Sequence, residues 1–127
     1  MTFIYSSIVA ILLSFSMQVD VPYSALEKAF TSNNASGITT SGKDKLMMNV
    51  LGKEGAYSKM QAEQVLKDFF SKKPDGQFQF IFKGKVNAEG TFAIGNYEYK
   101  GETYRVTIHF KKEGSDYKIE SLNIEKS

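Results

Sequence analysis

The sequence predicts an α+β domain in which helices pack on one face of a strongly curved, mainly antiparallel sheet. The spacing of apolar residues is helical up to Gly76 and alternates with a period of two after it. The alternating segments are joined by short connections that contain glycine, as β-hairpins require. Helices followed by a run of hairpins are typical of the α+β class.

The first predicted helix starts after Asp20, which is a suitable capping residue, and has Pro22 in its first turn. It carries an apolar stripe, and Asn33-Asn34 and Gly37 are expected to end it. The stripe consists of Leu26, Ala29 and Phe30. A strand is predicted at Lys45–Leu51, closed by the turn-rich segment Gly52–Gly55.

The second predicted helix is the clearest element of the chain. Ser58 and Gln61 have the spacing of a capping box, in which each side chain binds a free backbone N–H of the other residue. Glu63 and Lys67 form an i,i+4 pair on the polar face, and Pro74 and Gly76 end the helix. The apolar face consists of Ala62, Val65, Leu66, Phe69 and Phe70.

Four strands are predicted after Gly76, and their turns set an expected register. The strands are Gln77–Val86, Thr91–Tyr99, Glu102–Lys112 and Asp116–Glu125. A two-residue turn at Lys100-Gly101 pairs Tyr99 with Glu102. A four-residue turn at 87–90 places Phe82 opposite Gly95 and Phe80 opposite Tyr97. The alternation changes phase in the last strand, which predicts a β-bulge near Glu120-Ser121.

This register assigns an aromatic-rich set of side chains to the inner, concave face of the sheet. The set consists of Phe78, Phe80, Phe82, Ala93, Gly95, Tyr97, Tyr104, Val106, Ile108 and Phe110. The opposite face carries His109, a predicted ion pair between Glu98 and Arg105, and several apolar residues. Because that outer face is less polar than a fully solvated sheet, it is a candidate dimer surface formed by Ile81, Phe92, Ile94 and Arg105.

Composition excludes several classes of function. The 127 residues correspond to one domain, and 16 basic residues against 14 acidic ones give a net charge of only +2. The absence of cysteine excludes disulfides, a thiol nucleophile and a cysteine zinc site, and there is a single histidine. We therefore expect no metal, no cofactor and no nucleic-acid partner.

The N-terminus is predicted to be a signal peptide over residues 1–16, followed by one domain over 20–127. Residues 3–17 are apolar apart from four serines, and Ser14 and Ser16 are the small residues that a cleavage site needs. The run is too short for a membrane-spanning helix, which needs about 20 residues. The segment lacks Lys and Arg, so an uncleaved anchor or a buried strand stays an alternative. The expected location is therefore periplasmic or secreted, with no stable membrane span after cleavage.

The segment from Gly55 to Phe70, and above all Tyr57-Ser58-Lys59-x-Gln61-Ala62-Glu63, resembles the signature of an uncharacterised family of small exported bacterial proteins. That family, a domain of unknown function, belongs to the nuclear transport factor 2-like, or cystatin-like, superfamily. Gly84, Gly95, Tyr104-Arg105-Val106 and the final Ile119-x-x-Leu122-x-Ile124 fit its later strands. The chain differs where Phe82 stands in place of a histidine common in the family. The resemblance implies a cone-shaped fold with a pocket between helix and sheet, and no established activity.

The site expected from these observations is a ligand pocket in the concavity between helix and sheet. Its candidate residues are Tyr57, Phe69, Phe80, Phe82, Gly95, Tyr97, Tyr104 and Val106. No catalytic residue is assigned. His109 is predicted to face outward, and among the acidic residues only Asp68, which flanks the apolar stripe of the second helix, could lean inward.

Three functions stay open at this point. The leading one is an exported, non-catalytic domain that binds a small apolar ligand or a protein partner in the concavity. The second is an isomerase- or dehydratase-like enzyme, which requires an inward carboxylate or histidine near a tyrosine hydroxyl. The third is a structural homodimer formed through the outer sheet face.

Overall fold

The computed structural model describes residues 20–127 and contains three helices and one six-stranded sheet. The helices are α1 (Tyr23–Thr31), α2 (Ala35–Thr39) and α3 (Lys59–Lys72). The strands are β1 (Gly42–Val50), β2 (Lys53–Ser58), β3 (Gln77–Lys83), β4 (Gly90–Tyr99), β5 (Glu102–Glu113) and β6 (Asp116–Lys126). The predicted signal peptide at 1–16 lies outside the described residues.

The strand order is β2-β1-β6-β5-β4-β3, and every neighbouring pair is antiparallel except β1 and β6, which run parallel. The predicted fold class, helices on one face of a mainly antiparallel sheet, is confirmed. None of the three helices within residues 20–127 is long and apolar enough to cross a membrane.

Helix α3 forms as its sequence predicts. The Ser58 hydroxyl accepts a hydrogen bond from the Gln61 N–H at 3.2 Å, and the Ser58 N–H donates to the Gln61 side chain at 3.0 Å. This capping box supplies partners for backbone N–H groups that the first turn of a helix leaves free. The Glu63–Lys67 pair forms at 3.2 Å.

The N-terminal helical region differs from the prediction, because the predicted helix ends near Asn33 as expected but a short second helix, α2, follows it. Pro22 occupies the N-cap position of α1, so Asp20 does not cap it. Asn33 has a φ of 55°, a left-handed conformation that ends the first helix. The Asn34 side chain then accepts a hydrogen bond from the Gly37 N–H at 3.1 Å and caps α2.

Strand β2 was not predicted, because its side chains do not alternate between apolar and polar types. It lies at the sheet edge and pairs only with β1 in the described part of the chain. The turn between the two strands uses Leu51 and Gly52, both with positive φ. The predicted turn thus forms, but it is shorter than expected: residues 53–55, which were predicted to belong to the turn, are the first residues of β2.

The β4–β5 register is confirmed, from Tyr99 opposite Glu102 to Ala93 opposite Ile108. The bulge in β6 is also confirmed: His109 pairs with Ser121 and the next residue, Phe110, pairs with Ile119. Glu120 is therefore the additional residue.

The predicted β3–β4 register is wrong. Phe80 lies opposite Gly95 rather than Tyr97, and a bulge then places Phe82 opposite Ile94. The physical reason is that residues 84–89 form a loop rather than a continuation of two strands around a short turn. In that loop the Asn87 side chain accepts hydrogen bonds from the N–H groups of Glu89 and Gly90. The bulge, which lies at Ile81, moves Phe82 off the inner face.

The core lies between the helices and the concave face of the sheet. Phe30 of α1 stacks on Phe78 of β3 with ring centroids 4.4 Å apart, and Phe70 of α3 meets Phe30 edge-on at 6.0 Å. Gly95 makes room for Phe78, because a Cβ at this position would lie 2.4 Å from the Phe78 ring. The glycine is therefore required by packing.

Candidate functional site

The concavity between α3 and the sheet is occupied by the protein's own side chains. Tyr97 and Val106 have no exposed surface, and Phe69 and Tyr104 are almost fully buried. Phe69 packs edge-on against both tyrosines, with centroid distances of 5.4 Å to Tyr97 and 5.8 Å to Tyr104. Four of the predicted pocket residues therefore meet, and they do so as packed core.

The Tyr97 hydroxyl binds the polypeptide around it. It donates a hydrogen bond to the Lys73 carbonyl at 2.5 Å and accepts bonds from the Gly76 N–H and the Asn33 side chain, both at 3.0 Å. The same Asn33 side chain accepts a bond from the Asp75 N–H at 2.8 Å. A hydroxyl has one donor and two acceptor sites, so Tyr97 has none left for a ligand.

Tyr97 and Asn33 thus join the end of α1 to the turn between α3 and β3. The sequence did not reveal this role of Asn33, because an Asn-Asn pair at the end of a helix predicts only that the helix ends there. Its left-handed backbone is what turns the side chain back toward Asp75.

The Tyr104 hydroxyl is bound in a different way, to a carboxylate at the rim of the sheet. It donates to Glu102 at 2.6 Å, and the Lys126 ammonium lies 3.2 Å from the other oxygen of that carboxylate. The bond to the Glu102 carboxylate, with burial as the second cause, raises the pKa of Tyr104 to about 12. The same bond, followed by Lys126, lowers the pKa of Glu102.

We expect Tyr104 to ionise about two pH units above an ordinary tyrosine, whose pKa is about 10. Because its pKa is raised in the folded state, the stabilisation is complete below pH ~10 and is lost as the pH rises through ~12. Glu102→Gln should move the ionisation back toward ~10, whereas Glu98→Gln should leave it unchanged. The measurement is a pH titration of the tyrosine ring carbons by NMR. Ionisation of Tyr104 near 10 in the unmodified protein would contradict this assignment.

The remaining predicted pocket residues lie at the margin or outside the concavity. Phe80 is half-buried and meets Tyr23 edge-on at 5.2 Å. Tyr57 is half-buried on the edge strand β2, and Gly95 lies under the Phe78 ring. Phe82, predicted to face inward, is 49% exposed on the outer face. The predicted pocket residues are therefore not brought together around one space.

The acidic residues do not form an enzyme-like pair across a cavity. Asp68 is half-buried and bonded to the ammonium groups of Lys53 and Lys72, which lower its pKa. Glu102 is exposed, and it is bonded directly to the Tyr104 hydroxyl. The two groups therefore do not face each other across a cavity that could hold a substrate. In the described part of the chain no group of three or more His, Cys, Asp or Glu side chains has the geometry of a metal site.

The grooves of the domain lie at its surface. An open groove of about 650 Å³ lies beside the β4–β5 hairpin and includes the charged residues Asp75, Glu98 and Glu102. A smaller cleft of about 240 Å³ separates α3 from the β1–β2 turn, between Leu51 and Val65. Neither contains Tyr97, Tyr104 or Val106.

The outer face of the sheet carries a group of side chains that we call the outer patch and define as the exposed Ile81, Phe82, Phe92 and His109 and the half-buried Ile94. Ile81 is 51% exposed and Phe92 is 37% exposed. The Phe92 ring lies 5.4 Å from the Phe82 ring and is stacked on the His109 imidazole at 5.6 Å. The correction of the β3 register therefore adds an aromatic ring to the surface on which dimer-surface residues were predicted.

The predicted ion pair between Glu98 and Arg105 does not form. Arg105 lies opposite Asn96 on one side and Glu125 on the other. No carboxylate within residues 20–127 lies within 4.0 Å of its guanidinium group. Since diagonal positions across strands are about 7–8 Å apart, an exposed Glu–Arg pair gains too little to hold the side chains together.

The architecture and packed concavity define an α+β protein of the nuclear transport factor 2-like, or cystatin-like, class. The chain belongs to the family described as Domain of unknown function (DUF4783), whose model matches residues 23–125. The predicted family resemblance is thereby confirmed. No curated protein matches the sequence.

Solved structures of the same family have the same fold. The chain is 28% identical to a family member from Bacteroides uniformis, with a TM-score of 0.76 over 85% of this chain and 98% of that one. It is 22% identical to a member from Bacteroides fragilis, with a TM-score of 0.75 over 85% and 100% of the two chains. A nuclear transport factor 2-like protein of unknown function from Silicibacter pomeroyi is 11% identical, with a TM-score of 0.61 over 97% and 98%. The family model establishes the family, and these structural comparisons establish the fold.

Proposed function

We propose that this chain is a non-catalytic domain that binds a protein through the outer patch. The observation that carries the proposal is the distribution of apolar side chains. The concavity is filled from within, whereas Ile81, Phe82 and Phe92 are exposed side by side on the outer face. Contiguous apolar surface of this kind is typical of protein interaction sites.

The physical basis is the free energy of removing these side chains from water. Burial of apolar surface contributes about 25 cal/mol per Å², and large aromatic side chains are common anchors of interfaces. The Phe92 ring is stacked on His109 and lies in tilted contact with the Phe82 ring, so part of the side-chain freedom is already lost before binding. The patch is therefore suited to contact another folded surface.

A small-ligand site in the concavity and an isomerase-like enzyme receive less support from the geometry. A small ligand in the concavity would have to displace Phe69 from Tyr97 and Tyr104, which are buried against it. An isomerase-like reaction needs a base inside a cavity, whereas Asp68 is half-buried, Glu102 is exposed, and both carboxylates are bound to lysines. We also propose export, on the basis of the apolar N-terminal run and its small residues at Ser14 and Ser16.

Site-specific photocrosslinking in cells that produce the protein tests this function. A photoreactive phenylalanine analogue at Phe92 is expected to give a covalent product of defined mass with another polypeptide. The same analogue at Met60, which is 77% exposed on α3, is the matched control and should give none. Adding Ile81→Lys to the Phe92 probe should suppress the product, because it places a charge within the outer patch. Equal labelling from both positions, or no product from either, would contradict the proposal.

A further inference from the structure

The two edges of the sheet differ in the side chains that they expose. Strand β2, at one edge, carries the charged residues Lys53 and Glu54 and is flanked by α3. Strand β3, at the other edge, has one charged residue, Lys83, at its end, and its Ile81 and Phe82 are half exposed. Charged residues normally keep an edge strand from pairing with another chain. The β3 edge lacks this protection over most of its length.

The backbone of β3 is paired with β4 on one side only. Within residues 20–127, no backbone-to-backbone hydrogen bond outside the β3–β4 ladder involves residues 77–83. Every second residue of an edge strand directs its N–H and C=O groups away from the sheet. The pairing with β4 is regular from Gln77 to Phe80, so this part of the edge has the usual spacing of such groups. Another extended backbone matches that spacing.

A polar hollow lies on the outer face at the start of β3. It has a volume of about 220 Å³, and the side chains that line it include Gln77, Gln79, Asn96 and Glu98. Glu98 is exposed and has no cationic side chain within 4.0 Å in the described part of the chain. Amide oxygens and a free carboxylate are acceptors for an ammonium or guanidinium group. The hollow therefore fits a basic side chain from another molecule.

The other end of the β3 edge is basic. Lys83 and Lys85 are exposed, and neither lies within 4.0 Å of a carboxylate among the described residues. The Lys83 ammonium lies 4.7 Å from the centroid of the Tyr23 ring, a cation–π contact that leaves its charge unneutralised. One end of the edge thus suits a basic residue and the other an acidic one. The apolar Ile81 and Phe82 lie between them.

The bulge at Ile81 discriminates between two kinds of extended partner. A second copy of β3 would carry the same bulge, so the ladder between the two strands would lose its register at two places. Bulges are among the features that keep the edge strands of folded proteins from pairing with each other. A segment without a fixed fold can pair with Gln77–Phe80 and then pass over the bulge. The edge therefore favours a loop or terminal segment as its partner.

We infer that the β3 edge binds an extended loop or terminal segment of a partner protein as a seventh, antiparallel strand. This inference rests on the proposed function and names the chemistry of the partner. Antiparallel pairing is slightly more stable than parallel pairing, and in that direction the segment begins with an acidic residue beside Lys83 and ends with a basic residue in the polar hollow. Alternate apolar side chains between them cover Ile81 and Phe82, and the body of the partner contacts Phe92 and His109.

Titration with synthetic peptides, followed by the NMR signals of the β3 amides, tests the inference. The probe is the peptide Glu-Thr-Val-Thr-Val-Thr-Lys with blocked termini. It should shift the signals of residues 77–83 and slow hydrogen exchange at alternate residues of that strand. The peptide with its two charged residues exchanged should bind at least about tenfold more weakly. Lys85→Glu should weaken binding of the probe, whereas Lys45→Glu, at an exposed lysine of β1, should not.

N-methylation of the probe peptide gives a second test, which leaves the protein unaltered. One version is methylated at every odd amide nitrogen and the other at every even one, because only one set faces β3 in an added strand. One version should bind at least about tenfold more weakly than the unmodified probe, and the other should bind equally well.

Three results would overturn the inference. They are equal affinities of the two methylated peptides, tighter binding of the charge-exchanged peptide, and no shift of the β3 signals with any peptide. If one of these occurs and the photoreactive group at Phe92 still labels another polypeptide, the outer patch binds protein without strand addition. The proposed function then stands, and only the mode of binding is wrong.

Discussion

Replacement of Phe30 by alanine should lower the free energy of unfolding by about 3–5 kcal/mol, the cost typical of removing a buried phenylalanine side chain. Phe30 has no exposed surface and contacts both Phe78 of β3 and Phe70 of α3. The cavity left by its ring would lie where α1 and α3 meet the sheet, between Phe70 and Phe78. Urea denaturation followed by circular dichroism measures the change.

Phe82→Ala is the matched control for this prediction. The same atoms are removed from a side chain that is half exposed, so the cost should be below about 1 kcal/mol. If Phe82→Ala lowered the free energy of unfolding as much as Phe30→Ala, Phe82 would have to be buried, and the inward and outward positions of β3 would be assigned incorrectly. The comparison therefore tests the corrected register as well as the core.

Tyr97→Phe should lower the free energy of unfolding by about 2–4 kcal/mol, although it removes a single oxygen atom. The change leaves the Gly76 N–H and the Lys73 carbonyl without their partner, and each buried polar group left unpaired costs about 1–3 kcal/mol. The measurement is again the urea midpoint, and amide hydrogen exchange at Gly76 should become faster at the same time.

Tyr99→Phe serves as its control, because within the described residues the Tyr99 hydroxyl makes no hydrogen bond to a protein atom. Its substitution should change stability by less than about 0.5 kcal/mol. Asn33→Ala removes contacts to the same turn and also places alanine at a left-handed φ of 55°, so it should cost at least as much as Tyr97→Phe. A Tyr97→Phe variant as stable as the unmodified protein would show that the hydroxyl does not hold the turn.

Local rules predict this fold well where the partner of a residue is close in sequence. The capping box of Ser58 and Gln61 spans four residues, and the β4–β5 register follows from the two-residue turn at Lys100-Gly101. Both are confirmed, because a short turn leaves few geometric choices. The bulge at Glu120 was also predictable, since a phase change in the alternation requires an additional residue.

The same rules fail where the sequence allows two geometries of similar cost. Phe78, Phe80 and Phe82 alternate without interruption, so the pattern alone continues the inner face to Phe82. A bulge at Ile81 changes that face, and it carries no sequence signal because Ile81 and Phe82 are both apolar. The predicted pocket had the same weakness: aromatic residues on a concave face can line a space or fill it. Here Phe69 fills it.

The position of β6 has a consequence for how the polypeptide acquires its structure during synthesis. The strand of this sheet that is synthesised after the other five, β6, lies in the middle of the sheet, between β1 and β5. Until residues 116–126 have emerged, β1 and β2 have no strand that connects them to β5, β4 and β3. Contacts of such long sequence separation form slowly and late. We therefore expect a nascent chain that stays open until residues 116–126 have emerged, and no folded product from a chain that ends before Asp116.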